Sequence, residues 1–160
     1  DPINISNYYR LEAKVINYYD DNSRTIGDAL INYNDLVFGG NNNSNIFETS
    51  GYNYYHEFSD ELFNGKEYNL SFTFNIYTTT YKPEYQNNNH EINVKTPVKQ
   101  ELRIELQSIS KSYFLYLRSR AANMDAVEFF SEPVQIYSNV TDGIGILGSY
   151  SSSVYILNLK

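Results

Sequence analysis

Several stretches of this chain alternate between apolar and polar residues, which is the period of a half-buried β-strand. In residues 7–17 the apolar positions on one face are Tyr9, Leu11, Ala13 and Val15. The positions between them carry Arg, Glu and Lys, so this stretch predicts a strand with one face in a core and one in solvent. The run Asp20-Asp-Asn-Ser23 that comes next is typical of a turn.

Two further stretches show the same alternation. The Asn64-Gly65 pair is a strong tight-turn signal, and residues 66–77 after it place apolar side chains at Tyr68, Leu70, Phe72, Phe74 and Ile76. Residues 97–107 place Leu102, Ile104 and Leu106 on one face. We therefore predict strands over 66–77 and 97–107, each with its apolar face turned inward.

The pattern is weaker elsewhere. Residues 25–38 hold one or two short apolar pieces, and residues 52–63 show neither period, so we interpret the latter as irregular. The segments 39–45 and 83–90 are polar and read as loops. Residues 134–137 and 154–159 are apolar enough to predict closing strands.

One segment changes from period two to helical spacing. Apolar residues recur three and four positions apart at Tyr113, Phe114, Leu117, Ala121 and Met124. Ser110 or Ser112 is a suitable N-cap, and Pro133 stops the helix. We predict a mainly β (α+β) fold in one domain over residues 1–160, an antiparallel β-barrel or sandwich with one amphipathic helix (about 111–128) packed against it.

Composition limits the partners. The 160 residues carry a net charge of −7 and no basic run, which disfavours nucleic acid and anionic membranes. Cysteine is absent, so disulfides and thiolate metal sites are excluded. No segment approaches the roughly 20 apolar residues of a membrane helix, so we predict no transmembrane segment. Because the chain begins at Asp1 without Met, we expect a processed or truncated piece of a longer protein.

Metal-ligating residues are sparse. His56 and His90 lie in two distant loops without a ligand spacing, so we expect no imidazole metal site and no cofactor. The Asp20-Asp21-Asn22 run starts like a calcium loop, but Thr25 and Ile31 occupy its glycine and glutamate positions, which excludes an EF-hand. An irregular calcium site using Asp20, Asp21 and Asp28 stays open beside a simple turn.

Catalytic patterns are also weak. A carboxylate hydrolase would use Asp60 or Glu61 with Glu105, but such residues on strands are usually solvated. The glycines Gly143, Gly145 and Gly148 resemble a dinucleotide fingerprint without its helix, so a hairpin or bulge explains them better. We predict no catalytic residues and a non-enzymatic protein.

Tyrosine is the remaining recognition signal, with 17 in the chain. Exposed tyrosines offer rigid contact area that stacks on sugars and peptides. Tyrosines that simply pack the sheet are the alternative. We expect ligand binding, to a glycan or peptide, in the Tyr- and Asn-rich loops 39–53 and 80–93. The candidate ligand-binding residues are Tyr52, Tyr54, Tyr55, Tyr81 and Tyr85.

Five segments carry a resemblance to a known family. They are Asn-Tyr-Tyr-Arg-Leu (7–11), Phe-Ser-Asp-Glu-Leu-Phe-Asn-Gly-Lys (58–66), residues 102–116, Glu-Pro-Val-Gln-Ile-Tyr-Ser-Asn (132–139) and Gly-Ile-Gly-Ile-Leu-Gly-Ser-Tyr (143–150). In this order the chain resembles the C-terminal part of the Bacteroidota lipoproteins grouped as domain of unknown function 4249. The usual glycine pair before the turn is replaced here by Asp142-Gly143.

The resemblance implies an outer-membrane or cell-surface location, with a lipid anchor and an immunoglobulin-like N-terminal region that this chain lacks. Relatives tend to be encoded beside TonB-dependent transporters. We therefore expect an accessory ligand-binding or assembly subunit of a nutrient-uptake complex, with such a transporter or another envelope protein as partner. An adhesin-like or structural envelope protein that binds a polymer or host surface is the alternative, and a carboxylate hydrolase is third.

Overall fold

A computed structural model describes residues 5–33, 35–38, 56–75, 96–125 and 135–159. These residues form seven strands, a 3₁₀ turn at Leu36–Phe38 and one α-helix. In chain order the strands and helix are β1 (Tyr8–Tyr18), β2 (Arg24–Asp28), β3 (Leu30–Tyr33), β4 (Glu57–Ser59), β5 (Phe72–Asn75), β6 (Lys99–Ile109), α1 (Lys111–Asp125) and β7 (Tyr150–Asn158).

The larger sheet has the order β2-β1-β6-β7, with β4 paired to the first residues of β1. Every pairing in it is antiparallel, as predicted. The central pair is β1 and β6, which are in register from Tyr8 opposite Ile109 to Tyr18 opposite Lys99. These two strands lie far apart in the chain, since residues 19–98 connect them.

The hairpin between β1 and β2 forms at the predicted Asp-rich turn. Asn22 adopts a left-handed backbone conformation (φ 60°), which Asn tolerates better than most residues. The Asp21 carboxylate accepts hydrogen bonds from the Ser23 backbone N–H at 3.0 Å and from its hydroxyl at 2.5 Å. Residues within the turn itself, Asp21, Asn22 and Ser23, therefore account for its conformation.

A second sheet, β3 with β5, covers one face of the larger sheet. We call this face of the larger sheet the core face. Its buried cluster contains Leu11, Ala13, Val15, Ala29, Ile31, Val37, Phe38, Phe58 and Leu102. Alternation in β1 predicted the inward positions correctly. In the described residues neither sheet closes on itself, so the architecture is a sandwich and not a barrel.

The opposite face of the larger sheet carries α1 at one end. The ring of Phe114 lies 4.6 Å from that of Tyr8 on β1, and Ile109 is buried at the same end. The helix begins at Lys111 as predicted, and residues 126–128 of its predicted span lie outside the described residues. No helix in the described ranges has both the length and the hydropathy needed to span a membrane.

Four strand predictions need correction. Within 66–77, residues 66–71 are not a strand because β3 pairs only with Phe72–Asn75, and residues 76–77, with the inward position Ile76, lie outside the described residues. The segment 52–63, interpreted as irregular, contains β4, which forms because β1 offers a free edge at Tyr8–Arg10. Residues 135–137 are not a strand. Leu106 is 40% exposed and not buried, because the core cluster ends at its margin.

One buried carboxylate fastens the 3₁₀ turn to the segment before β5. Asp35 accepts hydrogen bonds from the Tyr68 hydroxyl, from the Ser71 backbone N–H at 3.1 Å and from the Val37 N–H at 3.2 Å. Burial by itself would raise the pKa of Asp35, but these donors stabilise the charged form and the pKa is lowered overall.

We predict that Asp35→Asn lowers the free energy of unfolding by about 1 to 3 kcal/mol at pH 7, because the amide keeps only one acceptor oxygen and at least one of the three donors loses its acceptor. A folded-state pKa below the unfolded value stabilises the protein above about pH 4, and this contribution is lost as the pH falls further. The difference between wild type and variant in urea unfolding should therefore shrink below pH 4. The exposed Asp28→Asn is the control, and an equal loss in both variants would contradict the assignment.

Candidate functional site

The site begins where β6 passes into α1. The Ser110 hydroxyl oxygen accepts a hydrogen bond from the Tyr113 backbone N–H at 3.4 Å, which identifies Ser110 and not Ser112 as the N-cap. The same oxygen accepts from the Ser149 N–H at 3.1 Å, and the Ser110 N–H donates to the Ser149 carbonyl at 2.9 Å. The start of the helix and the segment before β7 are therefore joined at one residue.

Residues 135–149, which we call the glycine loop, fold back on themselves through side chains. Asn139 donates from its amide to the Leu147 carbonyl at 3.0 Å and accepts from the Leu147 N–H at 2.8 Å. The Ser138 hydroxyl bonds both the carbonyl (2.9 Å) and the N–H (3.3 Å) of Gly145. Two side chains thus make hydrogen bonds to backbone groups that a partner strand would otherwise make.

The backbone conformation of Gly145 and contacts with α1 also stabilise the glycine loop. Gly145 has φ 142°, which side chains other than hydrogen rarely allow. The Tyr137 N–H donates to the Ser119 hydroxyl of α1 at 2.8 Å. At the other end a Cβ on Gly148 would lie 2.9 Å from the Cβ of Tyr113. Both ends of the glycine loop are therefore tied to α1, and Gly148 allows the close approach.

The loop that is held in this way presents apolar side chains to solvent. Ile144 is 100% exposed and Leu147 is 83% exposed, and Val140 and Ile136 are also exposed. Apolar side chains exposed together on an ordered segment mark an interaction surface more often than scattered single ones do. We call these four residues the loop patch. The apolar run Ile-Gly-Ile-Leu-Gly is visible in the sequence, but its glycines alone predicted only a hairpin or bulge and gave no sign of an exposed surface.

A second notable feature is the ion pair between β4 and α1. Glu57 is 3% exposed, and its Oε1 lies 3.5 Å from the Arg118 Nε, while the Arg118 Nη2 donates to the Glu57 carbonyl at 2.9 Å. Burial raises the pKa of Glu57, and the Arg118 charge opposes this rise. The pair fastens the helix to the sheet, and no sequence pattern predicted it, because its two residues are far apart in the chain.

His56, beside Glu57, is half-buried. Burial lowers the pKa of its imidazole, and the nearby charge of Arg10 lowers it further. His56 therefore favours the neutral form at this junction. His90 lies outside the described residues, so the expectation of no imidazole metal site stays a prediction.

The predicted ligand-binding tyrosines are not part of the structure as described. Tyr52, Tyr54, Tyr55, Tyr81 and Tyr85 all lie outside the described residues. Their role in binding a glycan or peptide stays a prediction.

The three aspartates of the calcium hypothesis are not brought together. Asp20 and Asp21 lie in the turn, whereas Asp28 is at the far end of β2, opposite Lys14. Four residues of strand separate Asp28 from Arg24 at the turn end, or about 13 Å. Within the described ranges no group of three or more His, Asp or Glu side chains could hold a metal ion.

The carboxylates of the hydrolase hypothesis are also apart. Asp60 is fully buried and accepts hydrogen bonds from the Asn7 backbone N–H (2.9 Å) and side-chain amide (2.7 Å). Glu105 lies opposite Glu12, five positions further along β1, which is about 17 Å away. Glu61 is exposed beside Asp60. Asp60 therefore has a structural partner, and the described geometry offers no acid pair across a cleft.

The element after the glycines decides against a dinucleotide fingerprint. Strand β7, and not a helix, begins at Tyr150.

In the described residues, the fold is thus an antiparallel β-sandwich with one helix and an exposed apolar loop. The chain belongs to the family described as "Domain of unknown function (DUF4249)", which matches residues 1–156. No curated protein and no solved structure matches the chain.

We predict that Arg118→Leu lowers the free energy of unfolding by about 1 to 2 kcal/mol at pH 7, because it leaves the buried Glu57 carboxylate without its partner. A carboxyl group whose folded-state pKa is raised destabilises the protein only as the pH rises through that pKa. The loss should therefore shrink as the pH falls toward about 4, and the double variant Arg118→Leu, Glu57→Gln should recover most of it at pH 7. Urea unfolding of the wild type, the single variant and the double variant measures this, and a pH-independent loss would contradict it.

We predict that Gly148→Ala loosens the glycine loop, since its methyl group would meet the stem of Tyr113. Hydrogen exchange of the Leu147 amide, which the Asn139 side chain protects, should become faster by about tenfold. Gly27→Ala is the matched control, because nothing lies within 4 Å of the Cβ it would add. Equal Leu147 exchange in both variants would show that the close approach is unimportant.

Proposed function

We propose that this chain is a non-enzymatic assembly or ligand-binding module, an accessory subunit of a TonB-dependent nutrient-uptake complex at the outer membrane. The loop patch is the observation that carries the assembly role. The envelope location and the transporter partner rest on the family resemblance. Of the carboxylates in the hydrolase hypothesis, Asp60 is buried and accepts a hydrogen bond from the Asn7 side chain.

The loop patch suits a protein partner for a physical reason. Binding costs conformational entropy whenever a mobile loop must be ordered in the complex. Hydrogen bonds from Ser138 and Asn139 hold this loop before any partner arrives. Ile144 and Leu147 then offer apolar area whose burial is favourable, at about 25 cal/mol for each Å² removed from water.

The acidic net charge is compatible with this assignment. At −7, the chain avoids nonspecific contact with anionic lipid headgroups while the uncharged loop patch remains available for a specific contact. The aromatic loops that contain the predicted tyrosines would then supply ligand binding separately from assembly.

Affinity capture from native outer membranes tests the proposal. The wild-type protein should recover a TonB-dependent transporter, and Ile144→Ser with Leu147→Ser should reduce the recovered amount by about tenfold or more, because two apolar contacts are lost. Both side chains are exposed, so the double variant should unfold at the same temperature as the wild type. The control is Ile26→Ser on β2, which is 55% exposed and distant in sequence from the loop patch.

Recovery of no outer-membrane transporter by the wild type would overturn the transporter partnership. Equal recovery by the loop-patch variant would instead remove the loop patch from the interface. Saturable binding to a glycan or polymer array without any transporter would favour the adhesin-like alternative.

A further inference from the structure

Strand β7 is the outer strand of the larger sheet, and its outward hydrogen-bonding groups can be assigned. At one end the Ser110 N–H donates to the Ser149 carbonyl, and at the other the Leu159 N–H donates to the Gln100 carbonyl, both at 2.9 Å. Residues in an antiparallel pair alternate between bonding inward and outward. The odd-numbered residues of β7 therefore bond to β6, and Tyr150, Ser152, Val154, Ile156 and Asn158 direct their N–H and C=O groups away from the sheet.

This outer strand lacks the features that usually keep an edge from pairing. Residues 150–158 contain no charge, no proline and no glycine. Among the described residues no strand pairs with its outer side, and all of its residues are exposed. At the opposite side of the sheet, β2 carries Arg24, Gly27 and Asp28 in only five residues. The two edges thus differ, and β7 is the one built for pairing.

The side chains of β7 indicate which strand fits beside it. Its first half is small, with serine at 151, 152 and 153, and its second half is large, with Tyr155, Ile156 and Leu157. In an antiparallel pair of two β7 strands centred on Val154, residue 153 lies opposite 155, 152 opposite 156 and 151 opposite 157. Each serine then faces a large apolar side chain, and no large pair collides.

Centring the pair of β7 strands on Val154 also satisfies the backbone hydrogen bonds between them. Val154, Ser152 and Ile156 all belong to the outward-bonding set, so this register makes Val154 a hydrogen-bonded pair with its copy. The pairs 152 with 156 and 150 with 158 are then hydrogen-bonded as well. A register shifted by one residue would put outward groups opposite inward ones. Hydrogen bonding thus allows only alternate registers, and among these the side-chain sizes select the one centred on Val154.

We propose that two copies of this protein associate through antiparallel pairing of their β7 strands about a two-fold axis at Val154, which joins the two larger sheets into one. The pairing is isologous, so the absence of charge matters: a charged residue at the axis would face itself. This surface is separate from the loop patch, and the inference does not depend on the proposed transporter partner.

Cysteine cross-linking tests the register, because the chain has no cysteine of its own. In a hydrogen-bonded pair the Cα atoms lie about 5.5 Å apart, within disulfide range. Val154→Cys should therefore oxidise to a covalent dimer. Ser152→Cys alone should not, since its copy would be about 14 Å away, but a mixture of Ser152→Cys and Ile156→Cys should cross-link. Failure of both Val154→Cys and the mixture overturns the proposal.

Mass measurement by light scattering tests the association itself. The wild type should reach twice the chain mass of 18.6 kDa at about 100 µM, and Val154→Lys should stay at the chain mass because two lysines would face each other. Ile26→Lys on β2 is the matched control and should dimerise like the wild type. If the wild type has the mass of one chain at this concentration, the pairing of β7 strands is refuted. This is the result expected if another segment of the protein covers β7. The conclusion is the same whether or not a transporter is captured in the affinity experiment.

Discussion

The pairing of β1 with β6 is the interaction on which the remaining structure depends. Eleven residues of each strand are in register without interruption, so the two strands position everything that attaches to either of them. On the core face they present Leu11, Val15 and Leu102 to the second sheet. On the opposite face Tyr8 of β1 contacts Phe114 of α1. β2 pairs with the free edge of β1 and β7 with the free edge of β6.

Sequence alternation predicted both strands of this pair, although not that they pair with each other. In β1 the apolar positions are buried along the strand, so the period was easy to interpret. In β6 the same alternation failed at Leu106, since its neighbour on β7 is Ser153 and the core cluster does not extend over both. Periodicity indicates which side chains share a face, but the extent of the covering layer decides how many of them become buried.

The mistakes in the other elements have a common physical cause. A strand exists only where a partner supplies hydrogen bonds, and one segment does not reveal the length of its partner. Residues 66–71 alternate as well as 72–75, yet β3 pairs only with the latter. Glu57–Ser59 shows no useful period, and the tertiary pairing with β1 alone makes it a strand. The glycine loop could not be predicted from a periodic pattern either. Its shape depends on hydrogen bonds of the Ser138 and Asn139 side chains to residues later in the chain.

The family assignment from the sequence is confirmed, and it brings no activity with it. An interaction surface therefore has to be inferred from physical features of the structure. The two strongest candidates, the loop patch and the β7 edge, differ in the kind of contact they offer. The loop patch is apolar area on a segment fixed by side-chain hydrogen bonds. The β7 edge is a row of backbone donors and acceptors flanked by uncharged side chains. The first suits a partner with a complementary apolar surface, and the second suits only another extended strand.

The Ser110 hydroxyl has a mechanical consequence. One oxygen accepts from the first turn of α1 and from the residue next to β7, so both of its lone pairs are used. A force that pulls on the loop patch would load this oxygen and, through it, the first turn of the helix. Because α1 is fastened to β4 by Arg118, the same load would be passed on to the sheet instead of being absorbed by a flexible tether. Through Ser110 and Arg118, the segment before β7, the first turn of α1 and strand β4 thus form one connected set of hydrogen bonds.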